Sequence, residues 1–88
     1  MAYSADYGSL ATSATSNPVD GVKANVLLSG TWVGTVSLEV FSQNIWVATG
    51  KTWTANIMEV IDSASPQRWR LNFTRTSGTL VYDLQAAL

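Results

Sequence analysis

Apolar and polar residues alternate along most of the chain, most regularly in the segment 30–41. Every second residue from Trp32 to Val40 is apolar or glycine, and Thr35, Ser37 and Glu39 lie between them. A period of two residues is typical of a β-strand that buries one face. No segment keeps a helical period over several turns, so the pattern predicts an all-β protein.

The same alternation predicts strands at 22–28, 31–41, 45–48, 52–61, 67–74 and 79–86. Turn motifs containing Gly, Asn or Pro separate them: Ser29-Gly30, Ser42-Gln43-Asn44, Thr49-Gly50-Lys51, Asp62 to Pro66 and Thr76-Ser77-Gly78. Short strands at this spacing, each with one polar face, are typical of antiparallel sandwiches and barrels. We therefore predict a small antiparallel β-sandwich, jelly-roll or Ig-like, of about six strands over residues 22–88.

The segment 1–21 has a different composition, rich in Ser, Thr and Ala. Its large apolar residues are Tyr3, Tyr7 and Leu10. Such a segment buries little apolar surface, so we predict an extended N-terminal arm that is either flexible or ordered by a partner. A short helix in this arm is a further alternative.

Charge and residue usage narrow the class of protein. The chain has 88 residues, a net charge of −1, and neither Cys nor His. Disulfides are impossible, a structural zinc site is not expected, and the charge gives no basic face for nucleic acid. No apolar run approaches the roughly 20 residues of a membrane helix. These two features predict neither nucleic-acid nor membrane partners. The start of the chain lacks a signal peptide pattern, so we expect synthesis in a cytoplasm. A single domain this short commonly gains stability by oligomerisation or docking.

No catalytic constellation stands out. Nucleophilic serine chemistry lacks its usual histidine base, and nothing selects a pair among the six Asp and Glu residues. Glu39 and Asp83 are interpreted as residues of solvated strand faces. We predict a non-enzymatic protein without cofactor or metal.

Four tryptophans are the most informative side chains for packing and binding. Trp32 and Trp69 lie in the buried phase of their strands and are predicted in the core. Trp46 and Trp53 have two possible roles. Each either packs in the core or is exposed, where an indole can stack on a sugar or anchor a protein interface.

Six apolar residues lie out of phase with the predicted core: Leu27, Val33, Phe41, Met58, Val60 and Val81. Soluble monomers rarely expose large apolar patches, so some of the six are predicted to meet another subunit. Arg68 and Arg70, with Arg75 nearby, form a basic cluster that is either a solvated strand face or a contact for an acidic surface. The predicted partner-interface residues are Tyr3, Tyr7, Val33, Phe41, Trp46, Arg68 and Arg70.

The segment Gly30-Thr31-Trp32-Val33-Gly34-Thr35-Val36-Ser37-Leu38-Glu39 resembles a Gly-Thr-x-x-Gly-Thr-Val-x-Leu strand common in small virion proteins of tailed bacteriophages. Gly50-Lys51-Thr52-Trp53 resembles their Gly-x-Thr-Trp element. Residues 68–71 and 77–84 are similar to the closing strands, so the resemblance covers about residues 25–85. The hairpin sequence Ser42-Gln43-Asn44 differs from the acidic, glycine-rich hairpin sequence that is usual in those proteins.

This resemblance implies a structural role on a virion. We expect a capsid decoration (cement) protein that binds the major capsid protein or another virion protein, often as a trimer. A head-fibre, tail-fibre or adaptor module is the alternative within virions. A carbohydrate-binding module that uses Trp46 or Trp53 as a sugar platform is the alternative from a different class.

Overall fold

A computed structural model describes the backbone of residues 3–87 and the side chains of residues 4–87. Within that range there is no helix, and five strands form one sheet. The strands are β1 Tyr3–Leu10, β2 Ala14–Thr15, β3 Val19–Ser42, β4 Ile45–Trp53 and β5 Ile57–Ala87. The prediction of an all-β chain is confirmed.

The sheet has the strand order β1-β5-β3-β4, and β2 adds to β5. Residues 23–33 of β3 pair with residues 87–77 of β5, and residues 34–40 pair with residues 75–69. Residue numbers on β5 fall as those of their partners on β3 rise, so this long ladder is antiparallel. The pairings of β1, β2 and β4 are antiparallel as well. The prediction of antiparallel pairing is confirmed.

The two halves of β3 have different second neighbours. Residues 23–28 pair on their other edge with residues 62–57 of β5, whereas residues 36–42 pair with β4. The change occurs near Gly34, where Thr76 of β5 is skipped in the ladder. A Cβ on Gly34 would overlap the Thr74 carbonyl oxygen, so only glycine permits this close approach.

Two predicted turns are not turns, and this reduces the strand count. Ser29-Gly30 lies inside β3 and Ser77-Gly78 inside β5, where Gly30 pairs with Leu80 and Gly78 with Trp32. Both glycines have left-handed backbones, with φ of 89° and 79°. The two motifs therefore lie in distorted, closely packed stretches of one ladder and do not reverse the chain.

Other boundaries also move. The predicted strand 52–61 is interrupted at residues 54–56, which connect β4 to β5. The predicted loop 62–66 belongs to β5, but residues 63–66 have no partner in the ladder, whose paired positions there are Asp62 and Gln67. Pro66 therefore lies where no ladder hydrogen bond is needed. The predicted hairpin turn is confirmed: Gln43 and Asn44 have φ of 52° and 66°, as a two-residue primed turn requires.

Much of the segment predicted as an N-terminal arm is attached to the sheet. β1 pairs with β5 from Tyr3 opposite Ala87 to Leu10 opposite Leu80. Small polar groups fasten the segment: the Asp6 carboxylate accepts the Tyr82 hydroxyl at 2.6 Å and the Asn17 amide at 2.9 Å. Composition did not reveal this attachment, because hydrogen bonds hold the segment to the sheet and apolar residues contribute little.

One core of apolar side chains fills the inner face of the sheet. Its buried members are Val19, Ala24, Val26, Leu28, Val36, Leu38, Trp53, Trp69, Leu71, Phe73, Leu80, Tyr82, Leu84 and Ala86. The core placement of Trp69 is confirmed, and half-buried Trp32 packs edge-on against Phe73 at 5.6 Å. Burial of each large apolar side chain contributes about 1.5–3 kcal/mol, so this cluster dominates the stability of the fold.

Candidate interaction surfaces

The β3–β4 hairpin gathers several of the predicted interface residues. Its two-residue turn places Phe41 directly opposite Trp46, with ring centroids 5.2 Å apart. Arg70, on the neighbouring strand β5, lies with its guanidinium carbon 4.4 Å from the centroid of a Trp46 ring. The three side chains form one contiguous cluster on the outer face of the sheet.

Polar contacts hold Arg70 in that cluster. Its Nε donates to Glu39 Oε1 at 2.7 Å, and Asn72 Nδ2 donates to Glu39 Oε2 at 3.3 Å. The side chains of Arg70 and Glu39 are 24 % and 13 % exposed, so this ion pair is shielded from water far more than a surface pair. The cation is thus fixed between a carboxylate and an indole ring.

The other side of the same hairpin is also apolar. Ile45 and Val47 alternate with Trp46 along β4 and are 62 % and 41 % exposed. Val47 lies opposite Val40, in the core-facing phase, but the end of the hairpin extends beyond the core. We call Phe41, Ile45, Trp46, Val47 and Arg70 the hairpin patch; it exposes apolar groups on both of its sides.

A second surface lies where β1, β5 and β3 are neighbours. In one row across the sheet, Asp83 is flanked by Tyr7 on β1 and Leu27 on β3. In the next row, Val81 is flanked by the small residues Ser9 and Ser29. This alternation of large and small side chains leaves an open groove of about 560 Å³, the Asp83 groove, lined by Tyr7, Gly8, Ser9, Leu27, Ser29, Val81, Tyr82 and Asp83.

The structure separates the predicted interface residues into groups. Phe41, Trp46 and Arg70 come together in the hairpin patch, and Arg68 lies two residues before Arg70, paired with Asp20 at 2.9 Å. Tyr7, which is 76 % exposed, lies in the Asp83 groove, and Val33 is exposed away from both clusters. The Tyr3 side chain lies outside the described part of the chain.

All six out-of-phase apolar residues are exposed, which confirms their placement outside the core. Their contact with another subunit stays a prediction. Sequence reasoning missed Ile45 and Val47 because they occupy a core-facing phase. It also missed that Glu39, which was interpreted as solvated, holds Arg70 in place. The pairing of β3 with β5 that brings these two residues together joins segments distant in sequence, so local patterns do not reveal it.

Two titrating groups are perturbed by their neighbours. The Lys51 ammonium at 2.7 Å and the Trp53 indole N–H at 3.2 Å lower the pKa of Glu59. Burial, and then the hydrogen bond to Asp6, raise the pKa of Tyr82. Both contacts fasten elements together: Glu59 joins β5 to the end of β4, and Tyr82 joins β5 to β1.

Within residues 3–87 no group of three or more Asp and Glu side chains is placed to hold a metal ion. No helix in that range is long and apolar enough to cross a membrane. Searches of protein-family models, curated proteins and solved structures find no match to the chain.

Proposed function

We propose that this chain is a non-enzymatic virion protein that docks on a larger protein surface through its hairpin patch. The best-fitting identity is a capsid decoration protein bound to the major capsid protein of a tailed bacteriophage. The observation that carries the docking part is the exposure of apolar side chains on both sides of one hairpin, beside a fixed arginine. The virion part rests on the sequence resemblance over about residues 25–85.

The chemistry of the hairpin patch suits a protein partner. Tryptophan and arginine are the side chains most often found at the energetic centres of protein interfaces. Phe41, Trp46 and Arg70 are already in contact with each other, which lowers the entropy lost on binding. The patch is therefore suited to bind without rearrangement.

The finer architecture belongs to the same proposal. We take the sheet to fold over on itself as a small β-sandwich, with the halves of β3 on either side of Gly34 in different layers. Two facts support this arrangement: the halves have different second neighbours, and one continuous core serves both. A homotrimer on the particle is also part of the proposal, supported by the resemblance.

The sugar-binding alternative is less well supported. Trp53 is 7 % exposed and its indole N–H is bound to Glu59, so it offers no platform for a sugar ring. Trp46 has Arg70 over its ring and Phe41 packed beside it, which leaves little free aromatic face. Protein docking uses all three side chains, whereas sugar stacking requires an uncovered ring.

The first test locates the protein. Particles are purified from the culture that produces the chain, heads are separated from tails, and both fractions are probed with an antibody to the protein. We expect the protein with the heads. Its presence with tails alone would favour the fibre or adaptor alternative, and its absence from particles would refute the virion proposal.

The second test concerns the contact. Heads stripped of the protein are mixed with purified wild type, Trp46→Ser or Arg70→Gln, and bound protein is measured by co-sedimentation. Loss of a central interface side chain costs about 2 kcal/mol or more, so we expect affinity to fall roughly thirty-fold. Val60→Thr, which alters an exposed valine outside the hairpin patch, is the matched control and should bind as wild type. Undiminished binding of both patch variants would show that docking uses another surface.

A further inference from the structure

Asp83 differs from the other acidic side chains in its surroundings. Its Oδ1 atom is buried and has no hydrogen-bond partner within the described residues. Its Oδ2 atom has a long contact of 3.4 Å from Gln85 Nε2. Four of the other five acids have a closer donor: Asp6 has Tyr82, Asp20 has Arg68, Glu39 has Arg70 and Glu59 has Lys51. The fifth, Asp62, forms an ion pair with Lys23 at 3.7 Å.

The walls around this carboxylate are apolar. Tyr7 and Leu27 flank Asp83 on the two neighbouring strands, and Met58, 73 % exposed, continues the row beyond Leu27. Val81, 42 % exposed, lies on the same face two residues before Asp83. A carboxylate between such walls loses water without gaining a donor, which is unfavourable for the folded state.

The chain's own cations do not supply the missing donor. Four of its five basic side chains are paired with carboxylates, and Arg75 Nε donates to the Gly78 carbonyl at 2.7 Å. Buried polar groups in native proteins are satisfied in the great majority of cases, and exceptions concentrate at functional sites. The unpaired charge of Asp83 therefore indicates a donor from another molecule.

We propose that the Asp83 groove is a second docking site, which receives an arginine presented between apolar residues on the surface of a different protein. The aliphatic stem of that arginine would lie between Tyr7 and Leu27, and its guanidinium would meet the Asp83 carboxylate end-on, because Oδ1 itself is buried. The face of the exposed Tyr7 ring adds a cation–π contact. The proposal does not depend on what the hairpin patch binds.

The test is an amide NMR titration of the labelled full chain with two blocked tripeptides, valyl-arginyl-valine and valyl-glutamyl-valine. The arginine peptide should shift the amides of Gly8, Ser29 and Val81, with a dissociation constant in the millimolar range. The glutamate peptide should give no saturable shift. Equal binding of the two peptides, or shifts centred elsewhere, would overturn the proposal.

Two variants assign the effect to the carboxylate. Asp83→Asn keeps the shape of the side chain and should weaken binding of the arginine peptide at least five-fold. Asp62→Asn removes an equal charge from an exposed position and should leave binding unchanged. Undiminished binding by Asp83→Asn would contradict the proposed contact.

Two further readouts exclude simpler explanations. Asp83→Asn should melt at or above the wild-type temperature, because it removes an unpaired charge; a clearly lower melting temperature would mean that Asp83 is structural, against the proposal. Concentration-dependent shifts of the same amides without any peptide would identify a second copy of the chain as the occupant, which would also overturn it.

Discussion

The hairpin patch and the Asp83 groove are both exposed surfaces on one sheet, but they differ in whether their charged group has partners within the chain. In the hairpin patch, the Arg70 guanidinium is fixed by Glu39 and by the Trp46 ring. In the groove, one oxygen of Asp83 has no donor within the described residues. Folding alone therefore completes the first surface, whereas it leaves a carboxylate oxygen of the second without a donor.

This contrast separates stability from binding. A change in the hairpin patch removes interactions that the folded chain already has, so it affects both quantities. A change at Asp83 removes an unpaired charge from the folded chain, so it should weaken binding of the proposed arginine without lowering stability.

Phe73→Ala should have the largest effect. Phe73 is fully buried and packs against Trp32, so its truncation leaves a cavity and should lower the free energy of unfolding by about 3–5 kcal/mol. Urea denaturation followed by tryptophan fluorescence measures it, and Val33→Thr at an exposed site is the control. A loss below about 1 kcal/mol would mean that the core collapses around the site or is not shared by both surfaces.

Much of that core could be predicted from the sequence, and its pairing could not. Strict alternation placed Trp69, Leu71 and Phe73 on one face, as the structure has them. The Ser29-Gly30 and Ser77-Gly78 motifs were predicted as turns because their chemistry is that of turns, but both lie within one ladder, where Gly30 pairs with Leu80 and Gly78 with Trp32. Local patterns report local geometry and do not report which strands become neighbours.

In the candidate sites, too, local contacts could be predicted from the sequence and contacts between distant strands could not. Phe41 and Trp46 could be found from the sequence because a hairpin turn brings them together locally. The fixing of Arg70 by Glu39, 31 residues away in sequence, required the β3–β5 register. Asp83 was interpreted as solvated because its neighbours Tyr7 and Leu27 come from distant strands.

Two arginines on one strand provide the sharpest comparison of stability. Arg70→Met should lower the free energy of unfolding by about 1–2 kcal/mol, because Glu39 is mostly buried and loses its cation. Arg68→Met should change it by less than about 0.5 kcal/mol, because both members of its pair with Asp20 are more than half exposed. Chemical denaturation of both variants checks this, and equal losses would contradict the distinction between shielded and exposed pairs.

Alkaline conditions should test the attachment of β1. The pKa of Tyr82 is raised in the folded chain, whereas an unfolded tyrosine titrates near its ordinary value of 10.0. The unfolded state therefore loses its proton first, so the stability due to Tyr82 is complete below pH 10 and declines as the pH rises above it. Melting temperatures between about pH 8 and 11 should fall less steeply in Tyr82→Phe than in wild type or in Tyr7→Phe. Parallel curves for all three would rule out this coupling.

Acid conditions should produce the smallest effect. The pKa of Glu59 is lowered from 4.5, so its contribution is complete above that value and is lost as the pH falls through the lower folded value. Glu59→Gln should therefore show a shallower loss of melting temperature below about pH 4.5 than wild type. Since the Lys51 and Glu59 side chains are 54 % and 36 % exposed, solvent screens their pair and we expect only a small difference. Asp62→Asn is the matched control. A steeper acid loss in Glu59→Gln than in wild type would contradict the sign of the shift.

Docking on a capsid through the hairpin patch can be observed by electron cryo-microscopy of decorated heads, at a resolution that separates strands. We expect the β3–β4 hairpin, with Phe41, Trp46 and Arg70, in contact with capsid protein. Density that places this hairpin in solvent, with another part of the sheet against the capsid, would refute the proposed docking surface.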